Sequence, residues 1–355
     1  VSLCFSLAVN AKDPGKLLVI SSYDENELWT NDLATSIYMY MATIDNVSCD
    51  IVNLENSLIN DSLTFEKVSS NIMAEYRDKH PDYVVMIGNF SFNLRQHIQE
   101  AWGDIPLLLI SRSFRSGSLS DYYTSNTDLI PDDFGKPLED IRRHYNVALM
   151  IIPDYCEPTV DLMVRMNPKM KEFLFFTTNI FVQRRAAQRI EAYLKKEYPS
   201  IKFRMIMASE EGSETFHEYI VREHPEVGIL MGSWVFETVG VRGNVTLTTN
   251  DLRMMASSKN PIYSLREAYM KAGCVGGVFV DNVKIKQQIH ATIRQMLDGV
   301  SMHDVPTYVA GDTVIRMDYP LMQKYKMSAN NCPEGTVFTD RPATFWEMYF
   351  WQVIV

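Results

Sequence analysis

Residues able to do chemistry recur at one kind of place in this chain, just past the ends of short apolar runs. The run KLLVISSY (16–23) closes on Ser22 and Tyr23, with Trp29 shortly after. YVVMIGN (83–89) leads into Asn89 and Phe90, and IPLLLIS (105–111) into Ser111 and Arg112. In the second half EFLFFTTN (172–179) closes on Thr178 and Asn179, KFRMIMAS (202–209) on Ser209, and VGILMGSW (227–234) on Ser233 and Trp234. PIYSL (261–265) carries Tyr263, and Asp154 completes the set. Hydroxyls, amides, aromatic planes and a guanidinium can cradle a small molecule by hydrogen bonding and stacking. They supply no paired acid and base and no activated nucleophile, so they fit binding better than catalysis. Any one of them could equally cap a helix; recurrence on both halves carries the argument.

Other motifs do not add a reaction. DDFG (132–135) stands without a Gly-rich loop, a V-A-I-K lysine or an H-R-D, so no kinase site is assembled around it. GxSxG is absent, and GCVGG (273–277) opens a strand rather than joining one to a helix, which removes the dinucleotide geometry. The seven histidines mostly lie on helices or helix ends, with no pair at metal-ligand spacing, and the five cysteines include no C-x-x-C. No metal site and no cofactor is expected. One disulfide among the last four cysteines is open on spacing alone. A net charge of −10 without a basic stripe argues against nucleic acid. The one basic stretch, QRRAAQR (183–189), is read as the solvated face of a helix.

The elements that must position these residues follow from the alternation of apolar runs with amphipathic stretches. This is the pattern of parallel strands covered on both faces by crossover helices. Helices are expected over about 26–44, 63–79 and 91–101, and between the first two runs of the second half. The chain of 355 residues thus reads as two α/β sheets of four or five strands each. Residues 112–143 form a polar loop that lines or covers a cleft. The strand GCVGGVFVD (273–281), appearing after the second sheet looks complete, implies a return to the first sheet. An amphipathic helix with Ile285, Ile289, Ile293 and Met296 on one side follows it. At the ends, VSLCFSLAVNA (1–11) has the pattern of a signal-peptide remnant or membrane anchor. FWEMYFWQVIV (345–355) has its aromatics at helical spacing, which places Trp346, Tyr349 and Trp351 where a helix would enter the headgroup region with Glu347 still in water; a last core strand is the alternative.

In order of elements the chain resembles type I periplasmic binding proteins, and more narrowly the ABC-transporter substrate-binding family. DLMVRMNPKMKEFLFFTTN (161–179) is similar to that family's entry into its second lobe, and the block 261–306 to its later Gly-Gly and Asp-Val-Pro motifs. Pro333, Gly335, Pro342, Trp346, Glu347 and Tyr349 resemble the juncture at which bacterial sensor kinases carrying this domain lead into the membrane. The resemblance implies an α/β fold of two doubly wound parallel-sheet lobes joined by a multi-strand hinge, with a C-terminal helix leading toward the membrane. It divides the chain into a remnant or anchor (1–11), lobe 1 (16–150 plus 274–304), lobe 2 (151–273 plus 305–340) and the start of a transmembrane helix (341–355). It implies a periplasmic or extracytoplasmic domain of an inner-membrane receptor, not itself an enzyme. A small molecule such as a sugar or amino acid would be its ligand, and a homodimer is compatible with it. A solute-binding protein of an ABC transporter is the alternative, and an enzyme on a doubly wound fold the third class.

Overall fold

The computed structural model describes residues 15–123, 134–178, 180–232, 235–237, 244–246 and 255–343. Its first sheet has the order β2-β1-β3-β4-β7-β15, from β1 (Gly15–Ser21), β2 (Val47–Asn53), β3 (Tyr83–Ile87), β4 (Leu107–Ser111), β7 (Val147–Ile151) and β15 (Tyr308–Val309). All its pairings are parallel. Between β4 and β7 lies a small antiparallel ribbon of β5 (Arg115–Ser116) and β6 (Lys136–Pro137). The apolar runs behave as doubly buried strands should. In β1, Leu18 and Ile20 enter one core layer while Leu17 and Val19 enter the layer on the opposite face. The first layer is closed by α2 (Ser62–Glu75) and α3 (Arg95–Trp102), the second by α1 (Leu28–Met41).

The second sheet runs β9-β8-β10-β13-β14-β16-β17, built from β8 (Glu172–Thr177), β9 (Lys202–Met207), β10 (Val227–Met231), β13 (Ile262–Ser264), β14 (Gly276–Val280), β16 (Thr313–Asp318) and β17 (Val337–Thr339). Only β14–β16 is antiparallel. A further ribbon pairs β11 (Val235–Glu237) with β12 (Asn244–Thr246). Alternation is again two-sided, with Phe173 and Phe175 packed on one face and Leu174 and Phe176 on the other. The covering helices are α5 (Cys156–Met166) and α6 (Phe181–Glu197) on the first face and α7 (Ala208–Val221) on the second. A short α4 (Leu138–Arg142) precedes β7, and α9 (Tyr319–Lys324) follows β16.

The chain passes between the sheets at 152–155, at Asp281 and at 310–312. These segments are tied together: the Tyr155 hydroxyl donates to the Ala310 carbonyl at 2.7 Å, and the Asp281 amide to the Asp312 carbonyl at 3.0 Å. The position of the second crossing corrects the sequence reading. β14 pairs with β13 and β16, so it belongs to lobe 2, and the return falls after Val280 rather than near Gly273. The helix after it, α8 (Asn282–Leu297), does lie on lobe 1, with Ile285, Ile289, Ile293 and Met296 buried against α1. β15 pairs with β7, so residues 308–309 also lie in lobe 1 rather than lobe 2.

Cys49, Cys156, Cys274 and Cys332 are free thiols. The expected segment 1–11 and residues 344–355 of the expected membrane helix lie outside the described residues. Among the described residues, no helix is long and apolar enough to cross a membrane.

Candidate ligand-binding cleft

Both sheets are doubly wound, and residues that follow β1, β4 and β13 meet beside the first crossing segment. The residues gathered there are mostly charged. Arg112 follows β4 and forms an ion pair with Asp154 of the first crossing. The two side chains are 5% and 11% exposed. On the other side Arg266, just after β13, reaches Glu27 at 2.7 Å, with side chains 4% and 2% exposed. Glu27 also caps α1 by accepting the Thr30 amide at 2.8 Å, and it accepts the Tyr269 hydroxyl at 3.3 Å. Burial pushes the Glu27 carboxyl up, while the Thr30 amide and the Arg112 guanidinium act against it. Burial likewise raises the phenols of Tyr23 and Tyr269, helped in each case by the charge of Glu27.

Both arginines approach Trp29, with the Arg112 guanidinium 5.6 Å and that of Arg266 5.9 Å from its ring. Cations over an indole face are attracted to its quadrupole. This group walls a narrow space of about 30 Å³ with Asp32, Glu267 and Asn282. Asp154, Pro153 and Arg112 separate it from a second, wider space of about 220 Å³. That one is lined by Phe114, Arg115, Phe181, Arg185 and Arg189. Arg189 donates to Glu157 at 3.1 Å and to the Asp154 carbonyl at 3.3 Å. The Arg115 guanidinium donates to the carbonyls of Phe134 and Gly135 at 2.8 and 2.6 Å.

The strand-end residues expected to form a site divide into several groups. Trp29, Arg112 and Asp154 come together in the cleft. Asn89 and Ser111 fix the backbone at Arg112: the Asn89 side-chain amide donates to Ser111 Oγ at 2.7 Å and its side-chain carbonyl accepts the Arg112 amide at 3.2 Å. Tyr23 sits above β1 beside Glu27 and Asn56. Ser22 is consumed in packing, because its hydroxyl accepts the Ser91 amide at 2.9 Å and presses on Gly88. Gly88 has a φ of +89°, and a Cβ there would meet Ser22 Oγ at 2.5 Å. Phe90 is core, edge-on to Phe65 and Tyr122 at 5.8 and 5.9 Å. Thr178 is buried before α6. Tyr263 is not at a strand end; it lies within β13, buried under α5. It lines a groove elsewhere on lobe 2 with Met170 and Tyr325. Ser209 lies in α7, of which only the backbone is described there, and Asn179, Ser233 and Trp234 lie outside the described residues.

The structure adds Glu27, Arg266, Tyr269, Arg185 and Arg189. Arg266 carries a signal of the same kind as Arg112, an arginine immediately after an apolar run. The reading of QRRAAQR as a solvated face holds for the exposed Arg189 but is corrected at Gln183 and Arg184. Gln183 and Arg184 of that stretch are buried, and Arg185 and Arg189 line the cleft.

No protein-family model matches the sequence, and no curated protein matches it. Solved structures do match over nearly the whole chain. The ABC domain in complex with L-Trp from Streptococcus pneumoniae is 15% identical, with 91% of this chain and 99% of that one covered at a TM-score of 0.57. An ABC transporter solute-binding protein from Agrobacterium vitis with bound D-fucose is 10% identical, over 90% and 99% of the two chains, at 0.53. The fructose-binding periplasmic domain of a hybrid two-component system is 11% identical, over 88% and 93%, at 0.52. At such identities the likeness is one of fold, and the fold of this chain is that of a type I periplasmic binding protein.

Proposed function

We propose that the chain is an extracytoplasmic sensor domain that takes a small polar molecule between its lobes and signals by closing on it, within a membrane receptor of the two-component type. One observation carries this reading. Trp29 belongs to lobe 1 and Arg266 to lobe 2, so the cation-flanked aromatic platform is complete only when the lobes meet. Hinge closure around a ligand is the transition that such two-lobed folds use. The neighbours named above bind L-Trp, D-fucose or fructose, and one is the periplasmic domain of a hybrid two-component system. The aromatic spacing at 345–351 supports membrane attachment. The Agrobacterium vitis neighbour favours a second reading, a solute-binding protein delivering its ligand to a transporter.

A thermal-shift screen of the protein against sugars, amino acids, nucleosides and organic acids tests the binding. A ligand at a hundred times its Kd adds about 2.7 kcal/mol to stability, a shift of a few degrees for a chain of this size. Trp29→Ala should weaken that binding while the apo melting profile stays cooperative. No stabilisation by any compound would overturn the reading. Fractionation of the native cells separates the two versions: a receptor stays with membranes until detergent is added, whereas a free binding protein is released by osmotic shock.

A further inference from the structure

The wider compartment of the cleft has a charge opposite to that of the molecule. The protein carries a formal net charge of −10, yet this compartment is lined by Arg112, Arg115, Arg185 and Arg189 with Asp154 as the one acidic side chain. Arg112 follows β4 and Arg115 opens β5 in lobe 1, and Arg185 and Arg189 come from α6 in lobe 2. The first turn of α6, with Phe181 and Val182, also borders it, adding the positive end of a helix dipole. The guanidiniums are held rather than adrift, Arg115 by two backbone carbonyls and Arg189 by Glu157 and the Asp154 carbonyl. Phe114, 55% exposed, provides an apolar wall beside them.

We propose that this compartment seats an anionic oxygen group of the ligand, a carboxylate or phosphate, clamped by arginines from both lobes. The proposal rests on the cleft-binding reading above and names the ligand class for it. The planar fork of arginine matches both groups through paired N–H···O bonds, which a scattered set of ammoniums does not. The two-lobed origin of the arginines supplies the coupling as well. Asp154 and Glu157 offset two of the four arginines, and closing the lobes brings the remaining positive charge together, which costs free energy in an empty cleft. An anion between them makes the same approach favourable. Its affinity therefore differs between open and closed lobes, which is the condition for a ligand to drive closure.

The test uses inorganic phosphate and malonate as probes, titrated at constant ionic strength with sodium chloride so that general screening is matched. Melting curves are recorded for the wild type, for Arg185→Gln with Arg189→Gln, and for Lys259→Gln with Lys324→Gln, which removes the same charge elsewhere on lobe 2. At least one probe should stabilise the wild type and the lysine variant equally. The arginine variant should need about tenfold or more of that probe for the same shift, the scale of a lost charge-assisted hydrogen bond. No stabilisation of the wild type, or equal loss in both variants, overturns the proposal. If neutral sugars or amides stabilise the wild type while neither anion does, the cleft reading survives and the anion clamp does not. Should the double arginine variant fail to fold, Arg185→Gln alone gives the same comparison.

Discussion

Glu27 and Arg266 show what a buried charge pair does at the scale of single residues. Each is removed from water, and the desolvation of both is offset only because the geometry is close and the remaining lone pairs of Glu27 meet the Thr30 amide and the Tyr269 hydroxyl. Removing one partner is then the severe change. Arg266→Met should destabilise the protein by about 3–5 kcal/mol in denaturant unfolding, the scale for an uncompensated buried charge. Adding Glu27→Gln should recover a large part of that loss, since a glutamine carbonyl still accepts the Thr30 amide. The pH dependence has a definite sign. Burial already raises the Glu27 carboxyl, and loss of Arg266 raises it further. A carboxyl whose folded pKa lies above its unfolded value costs nothing below the unfolded value, and it costs stability as pH rises through the folded one. The single variant should therefore be closest to wild type in acid and fall away toward neutral pH. A pH-independent difference would mean that Glu27 is not the group left exposed to the deficit.

At the scale of elements, the contact between α1 and α8 rests on Asp32 as well as on its apolar stripe. Asp32 accepts Lys286 at 2.9 Å and the Asn282 side-chain amide at 3.1 Å. Burial alone would raise its carboxyl, but those two donors outweigh it and hold the group below the usual range. Stability from such a group is present above the unfolded pKa and lost as pH falls through the folded one. Asp32→Asn should therefore cost about 1 kcal/mol at pH 7, a modest value for a half-buried pair, and the difference should vanish in acid. An undiminished difference at low pH would assign the cost to packing instead. The elements that were legible in sequence share one property with this pair: a period that local chemistry enforces. Leu17 to Ile20 read as a strand because both faces are covered, and Ile285, Ile289 and Ile293 read as a helix because one face is. β7 was not legible although VALMI is as apolar as β4. The helix before it is only Leu138–Arg142, so the strand–helix alternation is missing. The site was legible where a side chain follows its strand directly, as Arg112 does. Arg185 and Arg189 were not, because a helical pattern marks a face as polar without saying whether water or the other lobe stands opposite.

The whole molecule balances closure against charge. Most of α6 packs on lobe 2, but its first residue, Phe181, is buried in the lobe 1 core, 5.7 Å from both Tyr122 and Phe134 between ring centres. Burying a phenylalanine is worth about 1.5–3 kcal/mol, enough to hold two lobes together when only a hinge resists. The buried Glu27–Arg266 pair adds a polar latch between the same lobes. Against these act the arginines gathered from both sides of the cleft. A balance of a few kcal/mol is what the proposed ligand-driven closure needs, since a ligand can then shift the population with an ordinary differential affinity. Phe181→Ala should tip the balance toward separated lobes without unfolding either sheet, because the core of lobe 2 does not include this ring. Small-angle X-ray scattering would then show a larger radius of gyration for the unliganded variant than for the wild type. A ligand found in the screen should return the variant to the compact value at a higher concentration than wild type requires. If the variant scatters like the wild type without ligand, the anchor is elsewhere and the polar latch alone sets the closed state.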